Sequence, residues 1–423
     1  MKSSGIRIAL VLLALVALNI VGSVFFFRAD LTEDKRFTLM PATKQLLENL
    51  RDPIYIEVFL EGEFPAGFER LQRAIRETLE EFKAYAGDNI EYAFIDPSAN
   101  KDETQRNDTY RELVRRGLQP TNLTANENGK RTEKVLFPGA VVAQGGKEQP
   151  VLLLKGNQAA SSQVRLNQSV EGVEYELAMA IRQVTQKQRK RLAIIRGHGE
   201  ATRIDFNDMA ASLKTLYDID TVHLPKKVSL DGYDAALVIS PSQPFSEPDK
   251  FKLDQLLING GKLLFFLDVF DIQIDSLKPK DNLFVARDFN LADMLFKYGA
   301  RVNADLVQDQ NAAAVPMVVG YTGNQPQTTA VPWYYFPIVG SFAQHPIMRN
   351  ADNMVLRFAS TVDTVAAPGI KKTVLASSSK YSRLLASPVN VNFNEANMQL
   401  TAAVFNKKHL PLAVLTEGSF TSL

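Results

Sequence analysis

Residues 8–27 form an apolar run of twenty residues, broken only by Asn19, Gly22 and Ser23, and a charged stretch starting at Arg28 follows directly. As a helix rising about 1.5 Å per residue, such a run spans roughly 30 Å, the thickness of a bilayer's hydrocarbon core. The remainder reads as ordinary soluble-protein sequence. The expected arrangement is therefore a globular body held at a membrane by one N-terminal transmembrane helix. A cleaved signal peptide is the competing reading, but its apolar core is usually about 7–15 residues and ends at a small-x-small site. Here the run ends in Phe25, Phe26, Phe27 and Arg28. Lys2 and Arg7 precede it, whereas the downstream flank mixes Arg28, Lys35 and Arg36 with Asp30, Glu33 and Asp34. The positive-inside rule then leaves the short N-terminus in the cytoplasm and the body outside.

A chain of 423 residues is too long for one hydrophobic core. Its 48 basic residues are balanced by 47 acidic ones, without the sustained basic face that nucleic-acid binding needs. The densest basic cluster, 186–191, reads as a solvated helix end joining two domains. There is no cysteine, which excludes disulfides, thiol catalysis, Cys-based zinc sites and a lipid-bearing cysteine anchor.

After the anchor, a short helix is expected from Pro41 to Leu50, with Leu46, Leu47 and Leu50 on one face. Residues 54–60 alternate Ile54, Ile56, Val58 and Leu60 on one side and read as a strand. Residues 68–85 predict an amphipathic helix with an apolar stripe of Phe68, Leu71, Ile75, Leu79 and Phe82, and with Glu69/Arg73 and Arg76/Glu80 pairs on its wet face. A strand at 90–95, a helix at 102–116 closed by Gly117, a polar loop, strands at 135–143 and 151–154 around Gly145 and Gly146, and a helix capped by Ser169 follow. This is the element order of a thioredoxin-like α/β domain. Glu61 to Gly67 stand where C-x-x-C would be, so the redox chemistry is absent.

A second domain opens with a buried parallel strand at 191–196. Helices at 205–217 and from Ser246 to Gly260, with strands at 219–224, 234–240 and 262–267, argue for a doubly wound α/β sheet. Beyond Asp268 the pattern weakens to a helix near 291–298 and short β segments separated by proline-rich stretches, with the last near 410–415. The chain stops directly after a strand, and truncation is the expectation. The domains so read are an anchor at 1–28, a thioredoxin-like domain at 29–187 and an incomplete doubly wound domain at 188–423.

Candidate chemistry centres on Gly197, His198, Gly199 and Glu200, between a strand and a helix. The spacing is G-x-G-x-x-T, with Thr202 where a dinucleotide fingerprint wants glycine, and Asp218 and Asp220 come too early to bind a ribose. Two readings stay open. One is a turn needing glycine's positive φ with His198 hydrogen-bonded locally. The other is a ligand or partner loop, joined by the strand ends at Ser240 and Asp268, where open α/β sheets place ligands.

No P-loop exists, since Gly260-Gly261-Lys262 precedes a strand. Asp268, Asp271 and Asp275 are read as loop solvation rather than metal ligands, and His198, His223, His345 and His409 lack metal-ligand spacing. No serine elbow is present. The expectation is no catalytic residue, no metal and no cofactor. Trp333, Tyr334, Tyr335 and Phe336 read as buried core, with a partner-binding patch as the alternative.

The stretch DLTEDKRFTLMPATKQLL at 30–47 resembles the segment after the first membrane helix in the GldG family of gliding-motility ABC-transporter proteins and their auxiliary-component relatives. IEVFLEG at 56–62 continues the likeness, IIRGHGE at 194–200 resembles the start of the family's second, GIFT-like (flavodoxin-like) domain, shared with an intraflagellar-transport protein, and LAVLTEG at 412–418 resembles a later strand and turn. The resemblance implies a non-ATPase subunit in the bacterial inner membrane with its body periplasmic. It implies a separate ABC ATPase and a multi-span permease as partners, linked to gliding and associated secretion, with periplasmic motility or secretion proteins or self-association as further contacts. Members of that family carry a second membrane helix near the C-terminus, which this chain does not show. No catalytic residue carries over.

Overall fold

The computed structural model describes residues 39–62, 64–127, 130–155, 161–277, 282–323, 325–349, 351–392 and 400–423. The apolar run at 8–27, and the anchor expected there, lie outside the described residues. Among those described, no helix is long and apolar enough to cross a membrane. The chain divides into two compact units, Met1–Val184 and Thr185–Leu423.

The first unit runs α1 (Pro41–Glu48), β1 (Ile54–Val58), α2 (Ala66–Ala86), β2 (Ile90–Phe94), α3 (Glu103–Arg115), β3 (Thr121–Glu127), β4 (Lys130–Leu136), β5 (Gly139–Gln144), β6 (Lys147–Leu152) and α4 (Ser162–Thr185). Its main sheet has the order β2-β1-β5-β6. β1 and β2 are parallel, and β5 runs antiparallel to both β1 and β6. Gly145 and Gly146 both take positive φ, as a tight two-residue hairpin requires.

The period-two pattern of β1 works as read: Ile54, Ile56, Val58 and Leu60 are buried with the Phe68–Phe82 stripe of α2 and with Leu177 and Ile181 of α4. The opposite face of the sheet forms a smaller cluster, Phe59, Leu113 of α3, Leu118, Phe137 and Val141. On that side Arg116 bridges Glu57 at 2.7 Å and Glu148 at 3.0 Å.

Three local expectations change. Arg76 turns from its own helix to Glu61 (3.2 Å) and stacks over the Phe94 ring. The polar loop after α3 is the β3–β4 hairpin, paired from Thr121↔Leu136 to Glu127↔Lys130. Ser169 does not cap α4 but lies inside it, where its hydroxyl donates to the Arg165 carbonyl (2.7 Å) and accepts from the Lys155 N–H (2.8 Å). A serine that bonds back to the i−4 carbonyl is compatible with a helix interior, and so hides the true start at Ser162.

The second unit begins β7 (Lys190–Arg196), α5 (Arg203–Leu213), β8 (Tyr217–His223), β9 (Ala235–Ile239), α6 (Glu247–Ile258), β10 (Lys262–Phe266) and α7 (Ala292–Lys297). Its sheet is wholly parallel with the order β10-β9-β7-β8. The step from β8 to β9 carries only a 3₁₀ turn at Leu224–Lys226, so strand–helix alternation is not strict. α5 covers one face through Met209 and Leu213 against Leu192, Ala235 and Leu237. The other face, with Ala193, Ile195, Ala236 and Val238, shares one core with α6, α7 and the β-rich remainder.

That remainder is more ordered than the proline-rich sequence implies. Ala312–Thr322 and Gln325–Val339 form a long hairpin with Pro316, Pro326, Pro332 and Pro337 inside its strands. Proline removes a ladder donor and is tolerated where one side of a strand is unpaired. Ile370–Ser377 pairs with Pro411–Gly418. The final residues return to α6, where buried Asp254 accepts from the Ser422 hydroxyl (2.6 Å) and the Leu423 N–H (3.0 Å).

Truncating Phe82, fully buried under the first sheet, to alanine is expected to cost about 3–5 kcal/mol. Tyr175→Ala, on the exposed side of α4, should stay within about 0.5 kcal/mol. Hydrogen exchange of the β1 and β5 amides distinguishes the two outcomes.

Candidate functional site

The order of strand addition reverses between β7 and β9, which leave their C-terminal ends side by side. The segment after β7 is Gly197 to Glu200, and the structure joins it to the segment after β9. The His198 carbonyl accepts from the N–H groups of Ser242 and Gln243, both at 2.9 Å, and the Ala201 N–H donates to the Ile239 carbonyl (2.9 Å). Gly197 (φ 121°) and Gly199 (φ 67°) both occupy the positive-φ region. A Cβ on Gly197 would run into the Pro225 ring, and one on Gly199 into the Ser242 hydroxyl. Both glycines are needed because the neighbouring loops fill the crevice.

His198 sits within this closed turn with a side chain only 4% exposed. Nδ1 lies 3.3 Å from Glu200 Oε1, and Nε2 lies 3.2 Å from Asp249 Oδ2. The ring stacks on Phe245 at 3.8 Å between centroids. Ionised carboxylates only accept hydrogen bonds, so with both acids ionised each ring nitrogen must donate and the ring carries a positive charge. Lys252 Nζ reaches Asp249 Oδ1 at 2.7 Å, so two cations then face two anions.

Burial pushes the Glu200 carboxyl up, but hydrogen bonds from the His198 ring and backbone outweigh it and hold the group below its ordinary value. Asp249 behaves likewise: burial raises it, while Lys252, the Ser246 hydroxyl and His198 together bring it below the ordinary range. Asp249 is placed by local sequence as well. Ser246 caps α6, accepting the Asp249 N–H and donating its hydroxyl to the Asp249 carboxylate (2.8 Å).

The local-turn reading of the loop therefore accounts for Gly197, His198, Gly199 and Glu200, and their polar groups are directed at one another. Ser240 adopts φ 47° and donates its N–H to the Phe266 carbonyl (2.7 Å), while Asp268 is exposed two residues beyond β10. Asp271 pairs with Arg287 at 2.7 Å. Among the described residues no group of three or more His, Cys, Asp or Glu could hold a metal ion. The residues that sequence reasoning missed are Phe245, Asp249 and Lys252. The only sequence signal near them was the helix start at Ser246, which says nothing of a histidine fifty-one positions before Asp249.

The aromatic run lies mostly in the core, as its first reading expected. Trp333, Tyr335 and Phe336 are buried, and Tyr334 is half-buried against Phe405. Pairing jumps from Ala312↔Pro337 to Ala314↔Pro332, so residues 333–336 bulge opposite Ala313. The bulge breaks the alternation of a regular strand and lets consecutive rings enter the core, where Trp333 meets Tyr335, Phe336 and Phe358 edge-on at 5.0–5.5 Å.

Residues 189–423 match the family model described as "ABC-type uncharacterized transport system", an ABC-transport auxiliary family. The chain belongs to that family. As a member, it is an auxiliary component of an ABC-type transport system. Residues 33–143 match a domain of unknown function (DUF7088). No curated protein matches. A solved structure titled "mmIFT52 N-terminal domain" is similar at 18% identity, covering 48% of this chain and 77% of that one, with a TM-score of 0.31, too distant to carry a fold assignment.

His198→Ala leaves two buried carboxylates without their shared partner and is expected to cost roughly 3–5 kcal/mol. Gly199→Ala should cost about 1–3 kcal/mol through backbone strain, with the clash of its Cβ against Ser242 added. Because the folded-state values of Glu200 and Asp249 lie below their unfolded ones, their contribution is present above the ordinary carboxylate range and is lost as pH falls through the depressed values. Urea unfolding across pH 2–7 (a range spanning about pH 4, where carboxylates titrate) should show an acid limb that flattens in Glu200→Gln/Asp249→Asn.

Proposed function

We propose that this protein is a membrane-anchored, extracytoplasmic, non-ATPase subunit that docks beside the permease and ATPase of an ABC-type complex and acts as a scaffold, with gliding motility and associated secretion as its setting. The observation that carries the reading is the family match over 189–423. The apolar run at 8–27 supports the anchor, and the resemblance of residues 30–47 to the GldG family supports the setting. The strand order β2-β1-β5-β6 supports a thioredoxin-like first unit in which the stretch 61–67 stands where C-x-x-C would be. The parallel order β10-β9-β7-β8 supports a flavodoxin-like, doubly wound second unit of the GIFT type. Its strand-end crevice is filled by Pro225, Ser242 and Phe245, which suits a rigid docking body more than a ligand receptor.

The test is affinity purification of the full chain from membranes of its own host after mild detergent extraction. Co-elution of an ABC ATPase and a multi-span permease is expected. Recovery of the chain without either would overturn the scaffold reading.

A further inference from the structure

β10 ends the strand order β10-β9-β7-β8, so among the described residues one of its sides has no neighbouring strand. The Lys262 N–H donates to the Asp234 carbonyl, and the Phe266 carbonyl accepts from the Ser240 N–H. Residues 262, 264 and 266 therefore turn their backbone groups toward β9. The alternate residues turn theirs the other way, so the N–H and C=O groups of Leu263 and Phe265 point out from the sheet, and Leu267 continues the alternation. Edge strands are ordinarily blunted by a proline, a bulge or a charge within the strand. Here five apolar residues, 263–267, run without proline, the pairing with β9 is regular, and charges stand only at the two ends, as Lys262 and Asp268.

One face of the strand is uncovered as well. Leu263, Phe265 and Leu267 pack on the unit's main core, whereas Leu264 and Phe266 are 43% and 49% exposed. These two share a face with Leu237 and Ile239 of β9, yet the cluster under α5 on that face takes in no residue of β10.

The strand's own sequence says what fits against it. Turned end for end about Phe265, the stretch KLLFFLD at 262–268 sets Lys262 opposite Asp268 of a second copy, Leu263 opposite Leu267, and Leu264 opposite Phe266. In that register the 265–265 and 263–267 pairs are those with outward backbone groups, so they close as hydrogen-bonded pairs. The 264–266 pairs are then non-hydrogen-bonded, the kind whose side chains lie closest. Centring the pairing on Leu264 would set Lys262 against Phe266, and centring it on Phe266 would set Asp268 against Leu264. Only the register about Phe265 pairs both charges.

We propose that β10 is a self-association edge, at which two copies of this chain join their parallel sheets by pairing β10 antiparallel about Phe265. Leu264 of each copy packs on Phe266 of the other, and Lys262 meets Asp268 at both ends. The contact goes beyond the scaffold reading and requires neither permease nor ATPase.

The chain has no cysteine, so Leu264→Cys and Phe266→Cys each introduce a single thiol. The two full-length variants, carrying different tags, are co-expressed and mildly oxidised after detergent extraction. Opposed residues of a non-hydrogen-bonded pair sit about 4.5 Å apart at Cα, within disulfide reach. Leu264 lies diagonal to its own copy, about 7–8 Å away and past that reach. A disulfide joining the two tags is expected from the mixture, with no more than a trace from either variant expressed alone. In sedimentation of the otherwise unaltered chain, Asp268→Lys should weaken the dimer about tenfold, and Lys262→Asp/Asp268→Lys should restore it. Both positions are exposed, so neither change disturbs a core. Absence of the mixed disulfide, an equal yield from one variant alone, or a charge swap that stays as weak as Asp268→Lys would each overturn the proposal. The chain is measured by itself, so this outcome is separate from that of the co-purification.

Discussion

The second unit depends on a buried histidine held between two acids. His198 joins the end of β7, through Glu200, to the first turn of α6, through Asp249, and the Phe245 ring closes one side of it. The arrangement tolerates burial because each polar group has a partner: each ring nitrogen faces a carboxylate and Lys252 pairs with Asp249. Removing any one member leaves an unpaired charge in a site with little access to water, which costs far more than the pair itself contributes. The glycines on either side follow from the same constraint, because the loops that pack on them leave no room for a Cβ.

Around that pin, the unit is built as one core rather than as a sheet with appended strands. Ala193, Ile195 and Val238 of the parallel sheet share a cluster with Trp333, Tyr335 and Val389 of the β-rich remainder. The remainder thus does for one face of the sheet what a second layer of helices does in simpler α/β folds. The bulge at 333–336 makes this possible by directing several rings to one side, at the cost of regular pairing.

Much of the first unit was legible because its signals are local. The alternation at 54–60 and the five-residue stripe of α2 each report a face, and burial follows them. The misses share a cause. The β3–β4 hairpin is polar and two-stranded, so it lacks the apolar alternation that marks a half-buried strand. The long hairpin carries prolines that read as breaks, yet Pro316, Pro326 and Pro332 stand where the ladder is paired on one side only. For the candidate site, the positive-φ turn could be read from two glycines, whereas Asp249 could not be tied to His198 by any spacing.

The sequence by itself determined the absence of thiol chemistry, the periodicity that sets the α/β character of both units, and the glycine turn at 197–199. These are properties of residue type and short-range order. Only the tertiary structure decided that His198 is clamped by two acids and how a bulge at 333–336 brings several rings of the aromatic run into one core. Each depends on which strands become neighbours, and strand order is set by burying distant segments in one core, where spacing along the chain carries no information.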